Sequence, residues 1–439
     1  MTDNSIHSGG ASATAETTIS DRQRWYVLFL LTLIFTFSNI DRHILSILLE
    51  PIKQELELSD TQLGFLSGLA FAVFYSTLGI PMAMWADRRG RKNIILLALA
   101  VWSAMTAFCG LATNFLQLAL ARIGVSIGEA GSTPPSHSMI ADLYPPETRG
   151  TAMAIYALGI NIGILVGFTL GGWINVTYGW RTAFFVVGAP GLILALIGWL
   201  TLREPPRGHA EGLTVAKIIP PPLRAVFRHV WHTKAVRHII IGASLSSFVG
   251  YGGIAWTGSF LIRNHGMTTL EAGGVIGLFV GVAGGLGVIT GGIISDWLGR
   301  RDQRWGLWLI AAVGLISAPF YVGFLLVEST SLALMLWAVP VFVSVFYVGS
   351  TGAWVQGLTP LGMRSSIAAV NLLIINMIGL GLGPMTVGIL SDLFEPTLGG
   401  HSLRYALLVA SNAWLWGGLH FYLASRSLRV ELAAAQGST

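Results

Sequence analysis

Apolar residues occur along the chain in long runs that are separated by short polar segments. Each run approaches or exceeds the roughly 20 residues that a helix needs to cross the hydrocarbon core of a bilayer. The pattern therefore predicts twelve membrane-spanning helices. Their predicted limits are 25–48, 62–86, 94–112, 115–141, 149–173, 180–200, 238–262, 270–296, 305–327, 331–357, 365–391 and 402–425.

The composition agrees with a chain that is solvated by lipid. Of its 439 residues, 53% are hydrophobic and 11% are charged, whereas an ordinary soluble domain carries about 25% charged residues. The single cysteine, Cys109, excludes an internal disulfide and a cysteine-based metal site. Since the sequence shows no phosphate-binding loop, metal-ligand cluster or nucleophile–base pair, we expect no enzyme activity, no cofactor and no metal.

The basic residues flank the predicted spans and indicate an orientation. They are spread over loops rather than gathered in one patch, so nucleic acid is not an expected partner despite a pI near 9.5. If the N-terminus is cytoplasmic, the inner loops and tails hold all but six of the 26 Lys and Arg residues. The exceptions are Arg42, Lys53, Arg122, Arg181, Arg263 and Arg404. The positive-inside rule then predicts that both termini are cytoplasmic.

The longest polar interruption follows the sixth span and divides the chain into two six-helix halves. We predict a disordered cytoplasmic tail over 1–24, an N-terminal bundle over 25–201, a linker over 202–237, a C-terminal bundle over 238–425 and a second cytoplasmic tail over 426–439. Within the linker, apolar residues recur at helical spacing and arginines take other faces. This pattern predicts an amphipathic helix on the inner leaflet, with a solvated linker as the alternative.

A short charged motif occurs at the equivalent place in each half. Residues 87–92 read Asp-Arg-Arg-Gly-Arg-Lys, and residues 296–301 read Asp-Trp-Leu-Gly-Arg-Arg. Parallel structural repeats produce such pairs, although two ordinary positive-inside loops are the alternative. Because an acidic helix end and a basic turn can bridge neighbouring helices, we predict a cytoplasmic gate. Its predicted members are Asp87, Arg88, Arg91, Asp142, Arg149, Asp296 and Arg300.

Four ionisable residues are predicted to lie within the membrane, namely Asp41, Arg42, Arg122 and Glu129. Such groups cost roughly 2.5–3.5 kcal/mol each and usually mark a functional cavity. Arg122 and Glu129 are seven residues apart, almost two helical turns, and so share one helix face. The adjacent Asp41 and Arg42 cannot share a face. We predict that Asp41 lies beside Arg122, and that Arg42 points elsewhere or towards the outer interface.

These intramembrane charges favour a proton site. Desolvation favours a neutral carboxyl group and a nearby guanidinium favours the ionised form, so separating the two can load or release a proton. The hypothesis is that Asp41 and Glu129 exchange protons with Arg122 as their shared counter-ion. A static ion network that pins the first and fourth helices is the alternative. Besides Arg122 and Glu129, the predicted cavity-lining residues are Arg42, Asn371, Asn376, Tyr347 and Trp354. For the aromatic residues, packing against lipid or a neighbouring helix is the alternative.

Several of these motifs resemble those of the Major Facilitator Superfamily. Residues 87–92 and 292–301 look like its two loop signatures, with Ala83 at a usual glycine of the first copy. Residues 121–130 and 142–150 are similar to its fourth-helix signature. The resemblance implies an all-α membrane protein of 12 transmembrane helices in two pseudo-symmetric six-helix bundles, working by alternating access around a central cavity.

More narrowly, residues 39–42 and 59–64 resemble the Spinster branch, which is associated with transport of lysolipids and sphingoid lipids. This resemblance implies a proton-coupled transporter of a lipid or amphiphile that uses Asp41, Arg122 and Glu129. We expect protons and membrane lipids as further partners, a monomer, and a bacterial inner membrane. A proton-coupled carrier of a small organic anion, sugar or drug is the first alternative, because similar first-helix motifs occur in such carriers. A non-transporting receptor or sensor is the second.

Overall fold

The structure, a computed structural model, describes residues 19–206 and 222–437, and all regular elements in these ranges are helical. Twelve long helical segments follow one another there, which agrees with the predicted fold class. They are α1 (Asp21–Leu56), α2 (60–89), α3 (Arg91–Cys109), α4 (115–143), α5 (Pro146–Tyr178), α6 (Trp180–Thr201), α7 (Lys234–His265), α8 (Thr269–Gly299), α9 (Trp305–Leu326), α10 (Thr330–Gly357), α11 (364–398) and α12 (402–437).

Two segments differ in continuity from simple spanning helices. By length and apolar composition, ten helical stretches of the described chain could each cross a membrane. One of these, Arg364–Ala434, contains α11 and most of α12, and the chain turns between them at Gly399, whose φ is +52°. The predicted fourth span, in contrast, is two helices, Phe115–Glu129 and Thr133–Leu143. The second begins with prolines, which lack the N–H that a continuous helix needs. The prediction of one unbroken span was wrong at this point.

Some predicted domain limits also shift. Residues 1–18 and 207–221 lie outside the described ranges, but α1 already begins at Asp21, where the Ser20 hydroxyl accepts a hydrogen bond from the backbone N–H of Gln23. This N-cap extends the helix into the predicted tail. At the other end α12 continues to Gly437, so the predicted second tail is largely helical.

The two halves meet mainly along two helix pairs, α2 with α11 and α5 with α8, and α1 also packs against α7. Glycines permit these close approaches: a Cβ at Gly64 would lie 2.7 Å from the carbonyl oxygen of Pro384, and one at Gly172 would lie 2.2 Å from that of Thr269. Both contacts lie in the half of the bundle distant from the two chain termini. We call that side the far end and the opposite side the terminal end.

Short π-helical stretches occur in three of the four segments that form this junction. They are Phe65–Leu69 in α2, Gly277–Gly284 in α8 and Asn376–Leu382 in α11. A π-helical turn contains an extra residue and locally widens the helix, which re-aims the following backbone. Here the stretches lie where backbone from the opposite half approaches, as at Gly68, whose Cβ would lie 2.6 Å from the carbonyl oxygen of Gly381.

Replacing Gly172 by alanine is expected to destabilise the protein by about 1–3 kcal/mol, the usual cost of overpacking. The new methyl group would meet backbone, which cannot rotate away. Gly274→Ala is the matched control on the other side of this junction, because a Cβ there has no atom within 4 Å. Thermal unfolding in detergent should show a lower midpoint for Gly172→Ala and an unchanged or higher one for the control. Equal midpoints would contradict this description of the junction.

Candidate functional site

The Glu129 carboxylate is the centre of a buried polar cluster between α1 and α4. Its Oε2 accepts hydrogen bonds from the Arg42 Nη2 at 2.6 Å and from the Ser38 hydroxyl at 2.8 Å. The Glu129 side chain is completely buried and that of Arg42 is 16% exposed. Ser38 and Arg42 are four residues apart on α1 and therefore share the face that meets α4. The arrangement is a charge-assisted ion pair between α1 and α4.

Aromatic rings of α2 complete the surroundings of Arg42. Its guanidinium carbon lies 4.6 Å from the centre of the Phe71 ring and 5.0 Å from that of Tyr75. Cation–π attraction of this kind is strongest where water is excluded. Arg42 of α1 thus contacts two other helices of the N-terminal half, α2 and α4.

Asp41 and Arg122 form a second buried pair of residues on the adjacent side of α1. Each is 1% exposed, and Arg122 Nη1 donates a hydrogen bond to the backbone carbonyl oxygen of Asp41 at 3.3 Å. Trp102 and Thr106 of α3 lie beside the Asp41 carboxylate, outside hydrogen-bond geometry. Asp41 and Arg122 are therefore neighbours, as predicted, but through the Asp41 main chain.

The predicted counter-ion of Glu129 was wrong. Arg122 makes no ion pair within 4 Å of an acidic side chain in the described ranges, whereas Arg42, which was expected to point elsewhere, is bound to Glu129. The reason is rotation along α1: successive residues are 100° apart, so the face of Ser38 and Arg42 is turned to α4 and that of Asp41 to α3.

Four buried polar atoms of this cluster have no hydrogen-bond partner among the described residues. They are Asp41 Oδ1, Glu129 Oε1, Arg42 Nε and Arg122 Nε. Buried polar atoms are normally paired with protein or with water, so these atoms are candidate positions for a water molecule or a polar ligand. Each carboxylate here has an oxygen free to accept a proton.

The predicted cavity residues of the C-terminal half have different surroundings. Tyr347 is hydrogen-bonded to Ser247 of α7, with the two hydroxyl oxygens 2.7 Å apart. Asn376 is buried at the start of a π-helical stretch, and the Oδ1 of Asn371 is buried without a partner in the described ranges. A polar, unsatisfied Asn371 remains a candidate for contact with a substrate.

Trp354 has a packing role instead. Its ring occupies the space beside Gly306 of α9, with Cζ2 2.4 Å from where a Cβ of that glycine would lie. It belongs to the hydrophobic cluster inside the C-terminal half. The prediction that Trp354 lines the cavity is therefore not supported, because its ring faces α9.

Most of the predicted gate at the terminal end pairs within one half or is exposed. Arg91 is buried and donates to Asp142, to the Ser138 hydroxyl at 2.9 Å, to Glu204 Oε1 at 3.2 Å and to the Pro205 carbonyl oxygen at 3.0 Å. These contacts join α3, α4 and the segment after α6, which all belong to the N-terminal half.

Arg149 likewise bonds locally, with Nε donating to the carbonyl oxygen of Tyr144 at 3.2 Å. Arg88, Asp296 and Arg300 are exposed and form no ion pair with a described side chain, and the side chain of Asp87 lies outside the described part. These hydrogen bonds therefore bridge neighbouring helices within one half, and none of those that join the gate residues to another described residue crosses between the halves; the gate itself stays a prediction.

Arg91→Ala is expected to lower the stability of the N-terminal half by about 3 kcal/mol, because it removes one member of a buried ion pair. Arg88→Ala is the matched control, since Arg88 lies three residues away and is exposed. Thermal unfolding of the purified variants should show a clear loss for Arg91→Ala alone. A similar small change in both variants would contradict a structural role for Arg91.

The far end carries the ion pairs that do join the halves. Arg263 of α7 binds Asp60 of α2 with two hydrogen bonds, Nη1 to Oδ2 at 2.7 Å and Nη2 to Oδ1 at 2.8 Å. Its Nε donates to Glu50 of α1 at 2.7 Å, and Lys53 also binds Asp60 at 2.7 Å. Asp60 is 2% exposed. We call Glu50, Lys53, Asp60, Arg263 and Asp392 the far-end latch.

Asp392 of α11 strengthens the latch by capping a helix of the other half. Its Oδ1 and Oδ2 accept the backbone N–H groups of Asp60 at 2.9 Å and Thr61 at 2.7 Å. These N–H groups begin α2, where the helix dipole favours a negative charge. Every hydrogen bond between the halves that joins two described residues lies at this end. The halves are thus fastened at the far end.

The sequence pattern did not reveal the latch, although it contained a signal. Few basic residues lie outside the predicted inner loops, and both Lys53 and Arg263 are among them. Basic residues on the side where the positive-inside rule expects few are candidates for specific pairs. Asp60 lies only seven residues from Lys53, but it is 203 residues from Arg263, so sequence spacing could not identify the bond that joins the halves.

Comparison with known proteins extends these observations to the whole chain. The profile of the Major Facilitator Superfamily matches residues 29–384. An MFS-type efflux pump of Mycolicibacterium smegmatis is 32% identical over 412 residues, which cover 94% of this chain and 95% of that protein. A hexuronate transporter of Bacillus subtilis is 25% identical, with 83% of this chain and 87% of that protein covered.

Among solved structures, a bacterial homologue of the human lysosomal transporter Spinster, in an inward-facing and unoccupied conformation, is similar to this chain. The TM-score is 0.85 and the identity 33%, with 94% of this chain and 99% of that chain covered. The family match, the likeness to the Spinster homologue and the apolar helices together show that this chain is an integral membrane protein that belongs to the Major Facilitator Superfamily of transporters.

Proposed function

We propose that the protein is a proton-coupled, alternating-access transporter that moves a lipid-like amphiphile with an anionic head. The observation that carries the proposal is the buried pair of Glu129 and Arg42. A transporter can couple two ligands when both bind to the same site. An intramembrane ion pair is such a site, because a proton can bind its carboxylate and an anion can bind its guanidinium. The site lies in one half of a bundle whose halves are fastened at the far end.

Protonation of Glu129 is the proposed coupling step. A neutral carboxyl group attracts the Arg42 guanidinium less, which frees Arg42 to bind an anionic headgroup. Asp41 is the proposed second proton acceptor, and its main-chain carbonyl oxygen accepts a hydrogen bond from Arg122 of α4, the helix that also carries Glu129. Proton and anion therefore favour each other's binding, and we expect them to cross in the same direction.

The lipid cargo is supported by the likeness to the Spinster homologue and by the site's chemistry. Arg42 and Arg122 can hold a phosphate or carboxylate, and Phe71 and Tyr75 provide an apolar wall for the adjoining carbons. Asn371 is the proposed polar contact from the C-terminal half. The distribution of Lys and Arg supports cytoplasmic termini and therefore a cytoplasmic terminal end. The bacterial relatives support placement in a bacterial inner membrane. We propose a monomer as the working unit.

A small organic anion is the second candidate cargo, because one relative is named a hexuronate transporter. The same arginines would bind its carboxylate, and the aromatic wall would then contact a sugar-like ring rather than an acyl chain. The two candidates differ in the apolar part of the ligand.

The test is transport by the purified protein in proteoliposomes. A labelled lysophospholipid and a labelled hexuronate are each offered with and without an imposed pH gradient, and each is added unlabelled as competitor against the other. The proposal predicts gradient-dependent movement of the lysolipid that the hexuronate does not inhibit. Transport of the hexuronate alone would contradict the lipid proposal and support the organic-anion proposal. Transport of neither compound under a pH gradient would contradict both proposals.

A further inference from the structure

The helix between the two halves, Leu223–His232, is fixed to the C-terminal half. Its Val226 and Val230 are buried in that half's hydrophobic cluster. Just after it, the Glu431 carboxylate of α12 accepts hydrogen bonds from the backbone N–H groups of Lys234 at 2.9 Å and Ala235 at 2.8 Å. We call Leu223–His232 the linker helix; it is packed on the C-terminal bundle.

A second face of the linker helix is apolar and uncovered. Leu223, Phe227 and Trp231 are 60%, 49% and 68% exposed, respectively. They are spaced by four residues and form one stripe, which lies beside the buried valines because helical positions advance by 100°. Three large apolar side chains in a row are unfavourable in water and mark a contact surface.

The third face is basic. Arg224 and Arg228 are exposed and lie about 60° and 100°, respectively, from Phe227 at the centre of the apolar stripe. The helix contains no acidic residue. Arg237 of α7 adds a positive charge beside the stripe, since its guanidinium carbon lies 5.4 Å from the Trp231 ring centre and its Nη1 donates to the Trp231 carbonyl oxygen at 3.1 Å.

We infer that the linker helix binds an anionic phospholipid surface. A helix in the membrane interface buries its apolar stripe among the upper acyl carbons and directs its arginines to the headgroup phosphates. The linker helix has its exposed apolar stripe next to its exposed basic face, as such a helix requires. The uncovered stripe supplies the apolar area, and the basic face supplies the complementary charge. The proposal goes beyond transport, because it concerns a surface remote from the ion pair.

This contact would anchor one half of the transporter to the bilayer. Since the linker helix is packed on the C-terminal bundle, a bound lipid surface would hold that bundle at a fixed depth. The N-terminal half, joined to it through the far-end latch, would then be the half that tilts.

Spin-label depth measurements on the full-length protein in nanodiscs test the proposal. A label is placed at Phe227→Cys, and separately at His232→Cys on the basic side, in a Cys109→Ala background. In phosphatidylglycerol discs, the label at 227 should lie about 5–10 Å below the headgroups, and the label at 232 should be reached by water-soluble relaxers. In phosphatidylcholine discs, or with Arg224→Gln and Arg228→Gln together, the label at 227 should move outwards.

Two results would overturn the inference. One is a label at 227 that is equally accessible to water in both lipids. The other is dipolar broadening that grows with protein concentration in detergent, since that would show a second copy of the chain on the stripe. The readout is a position rather than a flux, so its failure is distinct from failure of the proposed transport.

Discussion

Replacing Arg263 by glutamine is expected to open the far end of the transporter. The change leaves Asp60 and Glu50 largely buried without their guanidinium partner, and breaking a buried ion pair costs about 3–5 kcal/mol. Lys53 continues to neutralise part of the Asp60 charge, so the lower value applies. A cost of about 3 kcal/mol reduces the ratio of far-end-closed to far-end-open molecules by roughly 100-fold.

Pulsed EPR distances across the far end measure this shift. Labels at Gln54→Cys in the N-terminal half and Thr397→Cys in the C-terminal half lie on exposed positions of the two bundles. The Arg263→Gln protein should show a longer distance as its main population. Arg181→Gln is the matched control, because Arg181 pairs with Glu55 at the same end but within one half. An unchanged distance in Arg263→Gln, or an equal change in Arg181→Gln, would refute the latch.

Glu129→Gln is expected to abolish gradient-driven transport, with a loss of about 100-fold or more. Glutamine cannot take up a proton, and it leaves Arg42 without an ionised partner in a buried site, at a cost of about 3 kcal/mol. Ser38→Ala should have a much smaller effect, of the order of 5-fold, because it removes one neutral donor worth about 1 kcal/mol.

Initial rates of labelled lysolipid uptake into proteoliposomes at equal protein incorporation provide the comparison. Glu328→Gln serves as the matched control, since Glu328 is exposed in the loop between α9 and α10. Both the control and the Ser38→Ala protein should remain gradient-dependent. Full gradient-driven transport by the Glu129→Gln protein would contradict proton coupling at the Glu129–Arg42 pair. It would show that the pair is only a structural contact between α1 and α4.

The architecture followed from the sequence because the bilayer restricts the choices. Apolar runs of spanning length must form helices that satisfy their own backbone hydrogen bonds, and so the number and order of α1 to α12 could be predicted. The long polar interruption after the sixth span predicted the division into halves, and the repeat at residues 87–92 and 296–301 supported it. A break inside a helix was harder to predict, and the break in α4 before Pro134 is an example. Proline is apolar, so a hydropathy pattern does not show that its backbone lacks an N–H group.

The site was only partly predictable, and the reason is rotation about the helix axis. The depth of a residue in the membrane follows from its position along the helix. Counting residues therefore predicted that Asp41, Arg122 and Glu129 lie close to one another. Which side chain of the adjacent pair Asp41 and Arg42 meets Glu129 depends on how α1 is turned against α4. The position of Ser38, four residues before Arg42, was the available signal, since both lie on the face that binds Glu129.

The far-end latch required tertiary information. Asp392 stabilises the first turn of α2, although 332 residues separate it from Asp60. Nothing in the local pattern of either segment indicates such a pair, because each reads as an ordinary helix end.

The most direct test of the central claim is proton movement caused by the substrate itself. Proteoliposomes that contain a trapped pH-sensitive dye are prepared without any gradient, and unlabelled lysolipid is then added outside. If protonation of Glu129 releases Arg42 to bind the anionic head, inward substrate flux should acidify the lumen in the wild-type protein and not in Glu129→Gln. Substrate entry with no change of luminal pH, or with alkalinisation, would contradict the account.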